Sequence, residues 1–212
     1  STRIGPVITA AQQFLPVLVV DDGSVDETVR VAQTSGPEVL RQVPNQGKGA
    51  ALRAGFRKAI ADGYAAVITL DADGQHDPAE IPLFIEEYRS RNADLIIGAR
   101  NFQQMPLTRK LANSLGRVVF SWAIGTKIRD NQSGYRLISR RLMESLLESS
   151  ENGFEFEVEM IQVCLKNNWQ LAWVPIRTIY ADQGSHIRPG KHVANFFRIV
   201  SKTRQEMRNK DR

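Results

Sequence analysis

Asp71-Ala72-Asp73-Gly74-Gln75 sets two carboxylates and an amide oxygen at alternate positions. On an extended segment such side chains can converge on one hard cation. Mg²⁺ prefers oxygen ligands and keeps its remaining positions for water and substrate phosphate. A cation held there would neutralise charge developing on a nucleotide diphosphate as it leaves. Asp71, Asp73 and Gln75 are therefore expected to bind Mg²⁺ or Mn²⁺, with Asp73 at the centre of the chemistry. A turn and helix cap would explain the carboxylates less well, because Asp77 already stands where a cap is needed, followed by Pro78 and Glu80.

Two further segments have donors and acceptors at element ends. Asp21-Asp22-Gly23-Ser24 follows an apolar run, and a carboxylate at Asp22 can accept from the N–H groups of uracil or guanine. Ser24 with Glu27 three residues on reads as a capping box. Asn45-Gln46-Gly47-Lys48-Gly49-Ala50-Ala51 opens a helix. Its glycines would let backbone approach a ligand, and helix N-termini favour anions. It has neither the P-loop spacing nor G-x-G-x-x-G, which disfavours a Walker NTPase and a Rossmann dehydrogenase.

These segments need strands and helices to aim them. Val17 to Val20, Glu38 to Gln42, Ala66 to Leu70 and Leu95 to Gly98 read as strands, and Leu171 to Tyr180 as an edge or bulged strand because of Pro175. Helical stripes run through Ile4, Val7, Ile8 and Ala11, through Leu52, Phe56, Ala59 and Ile60, and through Ile81, Phe84, Ile85 and Tyr88. Further stripes are Leu111, Leu115, Val118, Val119 and Trp122, then Val158, Ile161 and Leu165, then Val193, Phe196, Phe197 and Val200. Alternation of this kind predicts a three-layer α/β/α domain with a mostly parallel sheet, in which ligands bind at the carboxyl ends of strands.

The 212 residues suit one domain over 1–212, with 191–212 as a basic amphipathic helix. A single cysteine, Cys164, excludes an internal disulfide framework, and a reducing cytoplasm is the simplest setting. No apolar run is long enough to span a membrane, and Ser1 to Leu15 has no signal-peptide pattern. The net charge is +5, with Lys191, Arg198, Lys202, Arg204, Arg208, Lys210 and Arg212 crowding the end. Such a tail suits peripheral contact with the inner face of a membrane as well as a solvated helix face. No zinc-type cluster or Ser/His/Asp arrangement stands out, and His76 and His192 read as solvated or capping residues.

In order, V-V-D-D-G-S, N-Q-G-K-G-A-A-L-R-A-G and L-D-A-D-G-Q-H-D-P resemble the family 2 glycosyltransferases of the GT-A fold. The chain is most similar to the polyprenyl-phosphate sugar transferases of the dolichol-phosphate mannose synthase type. The similarity continues through I-I-G-A-R (96–100), M-P-L-T-R (105–109), D-N-Q-S-G-Y-R (130–136) and G-F-E-F-E (153–157). It covers about residues 1–190. The resemblance implies a nucleotide-sugar donor, UDP- or GDP-hexose, and a polyprenyl-phosphate acceptor, with inversion.

Asp22 would then contact the base, and Asp71, Asp73 and Gln75 the metal and diphosphate. Lys48 counts with the substrate-binding residues. Arg100 and Arg109 would grip the acceptor phosphate, as guanidinium forks suit phosphate oxygens. Gln132, Ser133 and Arg136 would close the acceptor side. His186 and Arg188, in a glycine-bracketed segment, would cover the donor phosphates as a lid. The resemblance also implies a first strand with a V-x-P-x-x-N-E-like segment before the helix at Ile4. The sequence starts in that helix: either residues before it are missing here or the form is truncated, and a truncated form is expected to lack a central strand and to carry unpaired edges.

The competing readings are a transferase with a soluble acceptor and a non-catalytic nucleotide-sugar-binding domain. A sugar-1-phosphate nucleotidyltransferase would want a glycine-rich basic loop after its first strand, which is not seen. No nucleic-acid partner is expected.

Overall fold

The computed structural model describes residues 3–100, 118–153, 155–177 and 179, together with 198, 200, 201, 204 and 205. The helices are α1 (Ile4–Ala11), α2 (Thr28–Thr34), α3 (Lys48–Ala61), α4 (Ile81–Arg91), α5 (118–124), α6 (Arg140–Leu146) and α7 (Glu155–Lys166). The strands are β1 (Leu18–Asp22), β2 (Glu38–Gln42), β3 (Ala66–Thr69), β4 (Leu95–Arg100), β5 (Arg136–Ser139) and β6 (Leu171–Ile176).

β1 and β2 pair in parallel, Leu18 opposite Glu38 and Asp22 opposite Gln42. The other four strands form a sheet in the order β3-β5-β4-β6. β5 runs antiparallel to both of its neighbours, while β4 and β6 are parallel. β3, β4 and β6 therefore share one direction and β5 alone is reversed. The sequence reading did not include β5. Pro175 lies on β6, at the sheet's edge, where a residue without an N–H costs no ladder bond. Among the described residues β1 pairs only with β2 and β3 only with β5, so each keeps one edge without a strand partner.

Alternation along β4 and β5 divides the core into two layers. Leu95, Ile97 and Ile138 face Phe56 of α3, Leu142, Met143 and Leu146 of α6, and Phe156, Met160 and Ile161 of α7. Ile96, Leu137, Ala172, Val174 and Ile176 pack on the other side against Ile81 and Phe84. Helices thus cover both faces of this sheet. Ile4, Ile8 and Ala32 form a smaller cluster with Val19 and Val39 of the β1-β2 pair.

On α5 the expected apolar stripe is rotated. Phe120, Ala123 and Ile124 are buried, whereas Val118 and Trp122 are exposed, and the Arg204 guanidinium lies 4.7 Å from the Trp122 ring centroid. Val200 enters the core, so the late apolar face is partly core. Among the described residues no helix is long and apolar enough to cross a membrane.

Candidate active site

β1 ends in Asp22, and the carboxylate of Asp22 organises the chain that opens α3. Its Oδ1 accepts the N–H of Gln46 at 2.8 Å and its Oδ2 that of Gly47 at 2.7 Å, while Asn45 Nδ2 donates to the Asp22 carbonyl at 2.7 Å. Beside it, buried Asp21 accepts the N–H of Ser24. The capping box expected from Ser24 and Glu27 does not form. Helix α2 starts only at Thr28, and Glu27 pairs with Arg30 instead. Ser24 is drawn back to Asp21, which leaves it too early to cap.

The glycines after Asn45 serve the protein's own packing. Gly47 has φ 98°, and a Cβ there would stand 2.4 Å from the Asn152 carbonyl oxygen. A Cβ at Gly49 would stand 2.5 Å from the Glu151 carbonyl oxygen, and the Gly49 N–H donates to Asn152 O at 2.8 Å. The close approach expected toward a ligand is made here to residues 151–152. Arg53 ties the same segment from α3, donating to the Glu151 carbonyl and to Asn152 Oδ1.

Lys48 begins α3 and reaches across to the end of β3. Its Nζ lies 2.8 Å from Asp71 Oδ1 and 3.1 Å from Glu157 Oε1 at the start of α7. Burial works against the Lys48 charge, but the fields of Glu157 and Asp71 outweigh it and hold its pKa above the ordinary value. For Asp71, burial raises the pKa, yet Lys48 more than compensates and the carboxyl is held below its usual value. Lys48 and Asp71 thus each favour the charged form of the other.

Asp73 turns the chain after β3: its Oδ1 accepts the Gln75 N–H at 2.9 Å, and its carbonyl accepts from Arg3 Nη1 at 3.2 Å. Asp77 caps the following turn through Ala79 N–H, as the sequence implied. His76, expected in solvent or at a cap, is instead buried against the Tyr135 ring, with centroids 5.2 Å apart. Burial lowers its pKa against the pull of Asp71 and Asp73. Its Nδ1 has no hydrogen-bond partner among the described residues.

Residues 130–136 form the facing wall. Arg100, at the end of β4, holds buried Asp130 with a fork: Nε to Oδ2 at 2.6 Å and Nη2 to Oδ1 at 2.9 Å. Asp130 Oδ1 also accepts the Gln132 N–H at 3.0 Å. Gly134 brings backbone against the pair below it, since a Cβ there would stand 2.6 Å from Asp71 Oδ2 and 3.0 Å from Lys48 Nζ. Ser133 is buried, its hydroxyl without a partner among the described residues.

Arg136 corrects the sequence reading, which placed it on the substrate. The residue is 1% exposed, and its guanidinium donates to the backbone carbonyls of Ser133, Asn131 and Glu157. It braces the wall from behind, because buried carbonyls need donors. Arg109, His186 and Arg188 lie outside the described residues.

Asp71, Lys48 and Gly134 of the wall thus meet just past the carboxyl end of β3, with Asp73 two residues further along the same turn, and Asp22 joins them through Gln46 and Gly47. Glu157, Asp130 and Gly134 were not singled out individually from the sequence, although G-F-E-F-E and D-N-Q-S-G-Y-R contained them. Among the described residues no three His, Cys, Asp or Glu side chains converge as a cation cage. The donor set is two carboxylates on one strand-end turn. It fits a hard cation that takes its other ligands from water and a bound diphosphate.

Residues 5–147 match the model of glycosyl transferase family 2. The chain is 31% identical over 180 residues to undecaprenyl-phosphate mannosyltransferase from Micrococcus luteus, covering 79% of this chain and 73% of that one. It is 28% identical to UDP-N-acetylglucosamine--dolichyl-phosphate N-acetylglucosaminyltransferase from Methanococcus voltae, covering 87% and 83%. The fold is similar to glucosyl-3-phosphoglycerate synthase from Mycobacterium tuberculosis in complex with Mn²⁺, UDP and phosphoglyceric acid. The TM-score there is 0.73 at 21% identity, over 95% of this chain and 72% of that one. With its strand-end aspartates and α/β layers of the GT-A type, this chain belongs to glycosyl transferase family 2.

Proposed function

We propose that the protein transfers a hexose from a UDP- or GDP-sugar to a polyprenyl phosphate, with Mg²⁺ or Mn²⁺ bound beside the donor diphosphate. The observation that carries this reading is the bridge from Asp22 to Asp71 through Gln46, Gly47 and Lys48, which gathers two strand ends around one place. The names of the relatives support the acceptor class, and the Mn²⁺–UDP complex of the structural neighbour supports the metal.

Asp71 and Asp73 would hold the cation, which supplies charge neutralisation for the departing diphosphate. Lys48 adds a positive charge at the start of a helix, where anions are favoured. Asp22 holds the Gln46-Gly47 turn beside the base. Arg100, oriented by Asp130, would face the acceptor phosphate together with Arg109, while His186 and Arg188 would cover the donor. An acceptor phosphate is already anionic, so a strong general base is less necessary than for a hydroxyl.

The test measures transfer from labelled UDP-glucose, UDP-N-acetylglucosamine and GDP-mannose to a short polyprenyl phosphate and to 3-phosphoglycerate, with Mn²⁺ and with EDTA. Metal-dependent transfer to the lipid phosphate is expected. Transfer only to 3-phosphoglycerate would move the acceptor to a soluble phosphate. Donor binding without turnover on any acceptor would leave a binding domain.

A further inference from the structure

Glu157 is 4% exposed, and its carboxylate faces Lys48. A buried carboxylate left without a cation is costly. Its backbone is pinned as well, since Arg136 donates to the Glu157 carbonyl. Glu157 is therefore fixed in place beside Lys48. Lys48 is held at the other end, because the turn before it hangs on Asp22 and its helix is packed on residues 151–152. The movable part of this arrangement is the lysine side chain, a flexible stem with a point charge.

That charge now lies between two carboxylates, slightly nearer Asp71 than Glu157. A divalent cation taken up by Asp71 would repel it. The other Asp71 oxygen faces the backbone of Gly134, where even a methyl would collide, so Asp71 has little room to turn away. The lysine must yield, and among the described residues Glu157 stands within its reach.

We infer that Lys48 is a tethered counter-ion which neutralises Asp71 in the metal-free protein and shifts onto Glu157 when a divalent cation arrives with a nucleotide diphosphate. Glu157 is then a positioning residue that acts through Lys48. The inference rests on the reading that Asp71 belongs to the metal–diphosphate site. In the metal-free state the exchange keeps Asp71 charged and in place. In the loaded state it leaves the lysine charge close to the phosphates.

The experiment is Mn²⁺ titration of the full chain with and without saturating UDP, followed by electron paramagnetic resonance of free Mn²⁺ and by calorimetry. Glu157→Gln removes the receiving anion without changing volume, and should weaken Mn²⁺ binding about tenfold, an ordinary coupling for groups in contact. Lys48→Met removes the competitor, and should tighten Mn²⁺ binding in the absence of UDP by a similar factor, about tenfold. In the Lys48→Met background Glu157→Gln should no longer matter.

Opposite signs for the single variants, with loss of the Glu157 effect in the double variant, are the expected result. Unchanged Mn²⁺ affinity in Glu157→Gln, or a Glu157 effect that persists without Lys48, overturns the exchange. The isosteric Glu157→Gln decides alone if Lys48→Met does not fold. Absence of Mn²⁺ binding to the wild-type protein with UDP overturns the site reading itself, and the exchange with it.

Discussion

Asp22 Oδ2 accepts the N–H of Gly47 at 2.7 Å, so the end of β1 holds the residue that precedes Lys48. Both oxygens of this carboxylate are engaged by backbone. The base recognition proposed for Asp22 would therefore be shared with the task of holding the turn. Asp22→Asn keeps one acceptor and loses the charge. Losing a charge-assisted hydrogen bond costs about 1.5–3 kcal/mol. The expected outcome is UDP or GDP affinity reduced roughly tenfold or more, together with a lower melting temperature, read by calorimetry and thermal melting. Weaker nucleotide binding with no change in melting would assign Asp22 to the base alone.

Arg100 separates an acceptor role from a donor role. Its fork onto Asp130 orients the guanidinium at the end of β4. Arg100→Lys keeps the charge and loses the fork. Acceptor kcat/KM should fall about ten- to a hundredfold while donor affinity stays near wild type. Asp130→Asn should show the same split more weakly, since it loosens the arginine without removing it. A loss of donor affinity in Arg100→Lys would move this residue to the diphosphate side.

For Arg136 the expectation is one of stability. Arg136→Met leaves the carbonyls of Ser133, Asn131 and Glu157 without their donor. Leaving a buried carbonyl without its donor costs about 1–3 kcal/mol. Urea denaturation should show a loss of that size, with wild-type nucleotide affinity in whatever fraction remains folded. A fully stable variant with poor substrate affinity would restore the substrate-binding reading.

Asp94 provides the pH prediction. Burial raises its pKa, but Arg141, the Gln170 N–H and Ser139 together hold it below the ordinary value. Its folded pKa is thus below its unfolded one. The stabilisation is present above about pH 4 and is lost as pH falls through the folded pKa. Asp94→Asn should lower the melting temperature at pH 7 by about 3–8 °C, and the gap to wild type should close as pH drops below about 4. A gap independent of pH between 7 and 3 would show that shape, not charge, makes the contribution.

Local order in this molecule was largely legible along the chain. β2 spans Glu38–Gln42 as the pattern implied, and β1, β3 and β4 match within a few residues. Ala66 to Leu70 is apolar and ends in Asp71, so the aspartates had to stand at a strand end. Asp77 before Pro78 had to cap a helical turn. Each of these follows from side-chain period, a cap or a backbone restriction, which are properties of neighbouring residues. The ordered motifs, taken together, also carried the family.

Other features depended on residues that the chain brings together from far apart. β5 is four residues long, opens on Arg136 rather than on an apolar run, and is reversed against its neighbours, so that it is identifiable by what it pairs with. Arg136 read as closing the acceptor side, but pairing of β5 sends its guanidinium inward to three carbonyls. Gly47 and Gly49 looked like room for a ligand, and the room is taken by residues 151–152. Glu157 had no visible reason to be charged until α7 placed it beside Lys48. The sequence by itself determined which carboxylates stand at strand ends. Only the tertiary structure decided which cation each one meets, because an ion pair depends on distance in space and periodicity reports on one element at a time.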